Sequence, residues 1–217
     1  DSKPVDGSVN TETHDAVLSI SPDGKSLYLY KNELGETKSG DIYIARKGKD
    51  NKFGSAKSVD EGRNVNSSYF ESSASVTDDG NTIYFVSDRK GSKGMADIYM
   101  SRKEGKEWGK AINLGDSINT SSDEKCVFIH PNGKLLFFTS EGHDSMGSYD
   151  IFVSKKVNGK WSKAQNMGYP INTVKEEKTI SVTRDGKTGY ISASYKDSKG
   201  GSDIYKIDLT NLNLLAK

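Results

Sequence analysis

Five residues after each of four asparagines stands a carboxylate: Asp15 after Asn10, Glu71 after Asn66, Glu124 after Asn119 and Glu177 after Asn172. Four acids gathered into a ring could share a hard cation such as Ca²⁺, or would need partners to offset their repulsion. The other reading is that each acid accepts hydrogen bonds from backbone N–H groups of its own or the neighbouring loop. Other chemistry is thin. His14, His130 and His143 are scattered and lack H-x-x-x-H or Cys/His ligand spacing. Cys126 shares a repeat position with Val17, Ser73 and Thr179 and reads as a small buried filler rather than a nucleophile. There is no G-x-S-x-G elbow, phosphate loop or G-x-G-x-x-G, and Gly91-Ser92-Lys93-Gly94 has the wrong glycine spacing. The expectation is no catalytic residue, no metal and no cofactor. Asp41, Asp97, Asp150 and Asp203 each open a D-I-[Y/F] motif. A residue present in every repeat suits structure, so these are predicted to accept local backbone hydrogen bonds in the manner of an Asx-turn.

The elements that must position these residues repeat with them. The D-I-[Y/F] motif returns at steps of 56, 53 and 53 residues (41 to 97, 97 to 150, 150 to 203), and the asparagines keep the same steps. So do Asp23-Gly24, Asp79-Gly80, Asn132-Gly133 and Asp185-Gly186. A period near 50 rich in glycine and aromatics predicts a propeller or solenoid. Within a repeat, alternating Ser72–Thr77, a turn at 78–81, the run Ile83–Val86, Asp97–Met100 and a last strand near Ala111–Leu114 predict four short antiparallel strands. Tyr28, Tyr84, Phe137 and Tyr190 share one position, and Tyr43, Tyr99, Phe152 and Tyr205 another; such columns are what blades need to pack face to face.

The predicted fold is all-β, a single β-propeller domain over residues 1–217 with four blades of four antiparallel strands. The repeats span about 10–65, 66–118, 119–171 and 172–217. Leu209-Thr210-Asn211-Leu212 fits an outer strand poorly, whereas Lys3–Val9 matches Ile112–Ile118. The N-terminal strand is therefore expected to complete the last blade and close the ring without an open edge. A fragment of a longer array is the competing case.

Charge and composition exclude several classes. Thirty-one basic and 30 acidic residues spread along the chain leave a net charge of +1, which gives no reason to expect nucleic acid or an anionic membrane surface. No apolar run is long enough to cross a bilayer as a helix, and the single cysteine allows no internal disulfide.

The combination N-T-x-x-D-E, D-G-x-x-[L/I]-Y-F, a Gly-rich loop and G-x-D-I-[Y/F] resembles the TolB-like, WD-like β-propeller repeats of the PD type. It is especially similar to those of bacterial envelope proteins that also carry an OmpA-like domain. The third repeat is closest, through Ser140-Glu141-Gly142-His143, Gly147, Asp150-Ile151-Phe152 and Trp161. The first departs most, with Glu33-Leu34-Gly35-Glu36 in the loop and Phe53 where Trp108 and Trp161 stand. The resemblance implies periplasmic or outer-membrane placement and a role in protein interaction, not a catalytic site. Peptidoglycan contact would come only through a domain not present here.

The expected function is a non-catalytic scaffold of the cell envelope, a monomer that binds a protein partner on the loop face. That face carries Asp15, Glu71, Glu124 and Glu177, with Arg89, Glu141, His143 and Tyr195 around them. Glu33, Arg89, His143 and Tyr195 occupy comparable loops yet share no chemistry, an asymmetry that suits recognition. Two alternatives stand beside it. A carbohydrate-binding or sugar-active propeller would draw on Tyr69, Phe70, Tyr149 and Tyr195. A metal-dependent hydrolase or lactonase would use the central acids.

Overall fold

The computed structural model describes residues 4–5, 9–10, 15–32, 40–212 and 214–215. Its four small antiparallel sheets are arranged as a four-blade β-propeller. The first holds β1 (Asp15–Ile20), β2 (Ser26–Lys31), β3 (Asp41–Arg46) and β4 (Lys57–Ser58). The second holds β5 (Glu71–Val76), β6 (Thr82–Ser87), β7 (Asp97–Glu104), β8 (Glu107–Trp108) and β9 (Ile112–Asn113). The third repeats that pattern with β10 (Glu124–Ile129), β11 (Leu135–Ser140), β12 (Asp150–Val157), β13 (Lys160–Trp161) and β14 (Gln165–Asn166). Among the described residues three strands form the fourth: β15 (Glu177–Val182), β16 (Thr188–Ala193) and β17 (Asp203–Asp208). One 3₁₀ turn follows at Thr210–Leu212, and no helix among the described residues is long and apolar enough to cross a membrane.

Local chemistry sets the turns. Between β5 and β6, Asp79 Oδ1 accepts from Asn81 N–H and the Thr77 hydroxyl, while Gly80 N–H donates to the Thr77 carbonyl. Gly24, Gly80, Gly133 and Gly186 sit at φ between 66 and 69°, the left-handed region that a Cβ disfavours. The period-2 pleat then sends alternate side chains to the two faces of each sheet.

The sheet faces bury most of the aromatic columns, Tyr28, Tyr84, Tyr99, Phe137 and Phe152 among them, while Tyr190 is exposed. Tyr28, Ile42 and Ile44 of the first sheet pack against Ala74, Val76 and Ile83 of the second. Tyr84 and Ile98 meet Val127, Ile129 and Leu136 of the third, and Phe137 and Ile151 meet Ile180 and Val182 of the fourth. At the outer end of the first two seams sit Trp108 and Trp161; Leu214 serves the third. The hydroxyls of Ser73 and Ser75 accept from the backbone N–H groups of Val127 and Ile129, each at 3.1 Å, so the inner strands β5 and β10 are also bonded directly.

The repeated asparagine is what binds one repeat to the last. Asn119 Oδ1 accepts from Ile98 N–H at 2.9 Å while its Nδ2 donates to the Ile98 carbonyl at 3.0 Å. Asn66 treats Ile42 in the same way, and Asn172 treats Ile151. Each carboxamide thus imitates a strand residue, pinning the link between two blades to the third strand of the blade it leaves.

The segment expected to close the ring falls largely outside the described residues, since Lys3 and residues 6–8 are not described. Pro4, Val5 and Val9 carry no strand assignment. Val9 is buried with Leu27, Leu29 and Ala45 of the first sheet.

Asn119→Ala is expected to lower unfolding stability by about 1–3 kcal/mol, because it leaves the buried Ile98 N–H without a partner and the Ile98 carbonyl with only the Leu114 N–H. Denaturant unfolding beside an exposed control such as Asn132→Ala measures this, and equal losses in the two variants would contradict the clamp.

Candidate functional site

The repeated acids open the innermost strands, but their oxygens are already engaged. Glu71 is fully buried and accepts from Ser67 N–H (2.9 Å), the Ser67 and Ser87 hydroxyls (2.7 Å each) and the Arg89 guanidinium (2.9 Å). Glu124 accepts from Thr120 N–H and from the Thr120 and Ser140 hydroxyls. Glu177 accepts from Thr173 N–H and hydroxyl, and Ala193 stands opposite it where Ser87 and Ser140 stand in other blades. In the first blade Asp15 forms an ion pair with Lys31 at 3.3 Å, the lysine standing where Ser87 and Ser140 stand in other blades. Among the described residues no three or more His, Cys, Asp or Glu side chains are placed to hold a metal ion. Glu71, Glu124 and Glu177 each tie down the loop that precedes their own strand.

Burial without a counter-ion shifts these groups. Glu124 is pushed up to about 7, chiefly by loss of water; the Ser140 and Thr120 bonds oppose this and the Asp97 carboxylate adds to it. Glu177 moves the same way from burial. Cys126 is likewise raised by burial, which keeps it a thiol rather than a nucleophilic thiolate. His130 is buried with its ring nitrogen 3.1 Å from the Thr183 carbonyl, and His14 lies outside the described residues.

The chemically unlike loop residues do one common job. The Arg89 guanidinium donates to the Val65 carbonyl, His143 Nε2 meets the Ile118 carbonyl at 2.6 Å, and the Tyr195 hydroxyl donates to the Ile171 carbonyl at 2.6 Å. Val65, Ile118 and Ile171 each precede the clamping asparagine. The three side chains also share a stacking platform. Arg89 lies over Phe85 and Tyr99, His143 packs on Phe138 and Phe152, and Tyr195 on Tyr205. Their variety is therefore three solutions to one backbone requirement. Glu33 lies outside the described residues, and Glu141 is exposed on the face.

The D-I-[Y/F] aspartates close the Gly-rich loop. Asp97 accepts from the N–H groups of Lys93 and Gly94 and from Asn113 Nδ2. Asp150 has the matching set from Met146, Gly147 and Asn166, and Asp203 accepts from Lys199 N–H. The donors lie before the aspartate rather than two residues after it, so the geometry differs from an Asx-turn. The loop so shaped butts against the next blade: a Cβ on Gly94 would fall 1.7 Å from the Ser122 carbonyl oxygen, and one on Gly147 2.0 Å from that of Lys175.

With those groups committed, one part of the face remains open. A groove of about 460 Å³ runs between the third and fourth blades, lined by Tyr169, Pro170, Val174, Lys175, Tyr195 and Lys196 among others. Tyr169 and Val174 are each 83% exposed. Beside it, Tyr149 donates to Asp123 at 2.6 Å and lies under the Lys125 ammonium, which is paired with Glu176. The sequence singled out Tyr69, Phe70, Tyr149 and Tyr195 as loop aromatics. Of these Tyr195 and Tyr149 are bonded, and Phe70 meets Tyr30 edge-on. Tyr169 is not among them, because it lies in the connection that follows β14 rather than in a loop between second and third strands.

No protein-family model matches the chain, and no curated protein sequence matches it. Solved structures share the fold. A protein described as TolB from Agrobacterium tumefaciens is 14% identical, with 92% of this chain and 78% of that one superposed at a TM-score of 0.53. A puromycin hydrolase is 15% identical over 91% of this chain and 27% of its own, at 0.53. Prolyl oligopeptidase B of Galerina marginata is 15% identical over 88% and 24%, at 0.52. The neighbours are TolB-like and prolyl oligopeptidase-type propellers. The chain spans only about a quarter of the two hydrolases, and at these identities the likeness is one of fold.

The shift of Glu124 has a definite sign. Its folded value lies above the ordinary 4.5, so between pH 4.5 and 7 the native chain binds more protons than the unfolded one and stability falls as pH rises. The loss is at most about 3 kcal/mol. Glu124→Gln is expected to flatten that slope in urea unfolding series across the window, and an unaltered slope would contradict it.

Proposed function

We propose that the chain is a non-catalytic docking module of the bacterial cell envelope that binds a protein partner in the groove between its third and fourth blades. The observation that carries this reading is the pairing of Tyr169 and Val174, both 83% exposed, across one groove on the loop face. Apolar side chains held out to water and rimmed by polar groups mark interaction surfaces. Lys175 and Lys196 on the rim, set against the one carboxylate Asp197, favour a partner with an apolar anchor flanked by acidic residues. The buried acids Glu71, Glu124 and Glu177 and the Arg89 and His143 side chains support rather than contact it, because their polar atoms are spent on the scaffold, while Tyr195 both braces the Ile171 carbonyl and lines the groove. Envelope placement rests on the resemblance to TolB-like repeats, and peptidoglycan contact would belong to a separate domain.

A photo-crosslinking residue at position 169 is expected to give one discrete adduct with an envelope protein, and the same residue at exposed position 107 none. Tyr169→Ala and Lys196→Glu should each weaken capture of that partner by about tenfold, the order of a single anchor or rim contact. Turnover of a peptide or glycan substrate by the purified chain, abolished by Tyr169→Ala, would replace this reading with an enzymatic one.

A further inference from the structure

On the face opposite the recognition loops, where the Asp-Gly turns gather, a cavity of about 230 Å³ opens in the seam between the first and second blades. Tyr28 and Trp108 line it and are only 5% and 7% exposed. Among the described residues nothing hydrogen-bonds the Tyr28 hydroxyl or the Trp108 indole N–H, and neither atom is shut off from water. The hydroxyl feels the charges of Arg46 and Asp23, two further lining residues, so it stands on the cavity side. The next two seams lack this arrangement. Tyr84 in the second accepts from the Lys156 ammonium at 3.5 Å, and Phe137 in the third has no hydroxyl.

The charges around the cavity do not cancel. Arg46, Lys103 and Lys106 line it without an ion pair to a described residue, and the Lys103 ammonium lies 5.2 Å over the Trp108 ring. Asp78 is consumed by Arg184, which donates to both its oxygens at 2.8 and 2.9 Å. Asp23 and Asp79 each spend Oδ1 on their own turn and keep Oδ2 as an acceptor. Three cations thus face two unpaired carboxylates, a surplus of one positive charge. A ligand that matches this carries one negative charge and has hydroxyls to donate to Asp23 and Asp79. Phosphate brings more charge than the surplus near neutral pH, and a plain alkyl carboxylate leaves the two Oδ2 acceptors unanswered. A cavity of about 150 Å³ holds benzene, so this one admits a single six-membered ring with its substituents.

We propose that this cavity binds the carboxylate-bearing ring of a sugar acid, a hexuronate taken as the free sugar or as the end unit of an acidic glycan. Arg46, Tyr28 and Trp108 supply the donors for the carboxylate, and Asp23 and Asp79 the acceptors for ring hydroxyls. A second groove, of about 440 Å³, shares Arg46, Lys106 and Trp108 with the cavity and gives the rest of a glycan its path. The site lies on the face away from the Tyr169 groove, so it stands or falls independently of partner docking there.

The chain has two tryptophans, Trp108 and Trp161, so its proton–nitrogen NMR spectrum carries two indole signals. Titration with galacturonate is expected to move the Trp108 signal and leave that of Trp161 in place. Galactose, which lacks the carboxylate, and inorganic phosphate, which lacks the ring, should each bind at least about tenfold more weakly. Tyr28→Phe gives the first repeat the residue that the third carries at Phe137, so the fold tolerates it. This variant and Arg46→Gln should each weaken galacturonate binding by about tenfold, the order of one charge-assisted hydrogen bond. The Trp161 signal, unmoved in both variants, reports an intact fold. Tetragalacturonate binding more tightly than the free sugar would support a glycan end as the natural ligand, and equal affinity the free sugar. Phosphate binding as tightly as galacturonate would reduce the site to a patch of cations and overturn the proposal. A Trp108 signal that millimolar galacturonate and tetragalacturonate both fail to move would overturn it as well.

Discussion

The fold depends on a carboxamide that behaves as a strand. A propeller blade must end its sheet and hand the chain to the next blade, and an unpaired strand edge at that point is costly to bury. Asn66, Asn119 and Asn172 solve this by offering one acceptor and one donor to a single isoleucine's backbone, where a strand would need a whole extended run. The isoleucine so held can send its side chain into the seam between blades. The loop beyond the asparagine is then short enough for the buried glutamate to fasten it. Asparagine is required for this geometry, since aspartate has no donor and glutamine places the amide one methylene too far.

Architecture was legible in the sequence because each landmark is a strict local requirement. A left-handed turn position calls for Gly24, Gly80, Gly133 and Gly186, and seams between sheets call for the aromatic columns. Insertions are tolerated only where nothing packs, so the register survives from repeat to repeat. The Asp15–Lys31 pair, with its buried lysine, was less visible. Lysine at a strand position reads as solvent-facing, and only the three-dimensional column shows it replacing Ser87 and Ser140.

Site residues were harder to read. Divergence among Arg89, His143 and Tyr195 reads as recognition, because side chains that differ between repeats are the ones a purely repeating scaffold would not need. Their shared acceptor is a main-chain carbonyl, which has no sequence signature, so three donors of different length and charge can serve it. Tyr169 carried the opposite ambiguity. An aromatic in a connection resembles packing until its exposure is known. Sequence variation therefore marks function only where the backbone makes no demand of its own.

The inner-strand hydroxyls give the molecule a mechanical grain. Ser73 and Ser75 stitch the second blade to the third through two backbone bonds. At the first seam the equivalent positions are Val17, which has no acceptor, and Ser19, whose buried hydroxyl finds no partner among the described residues. At the third seam the place of Ser73 is taken by Cys126, and a thiol is a weak acceptor. Under tension along the chain the end blades would peel away first. The second and third would remain a joined pair, resisting as a unit because the load falls on two parallel stitches.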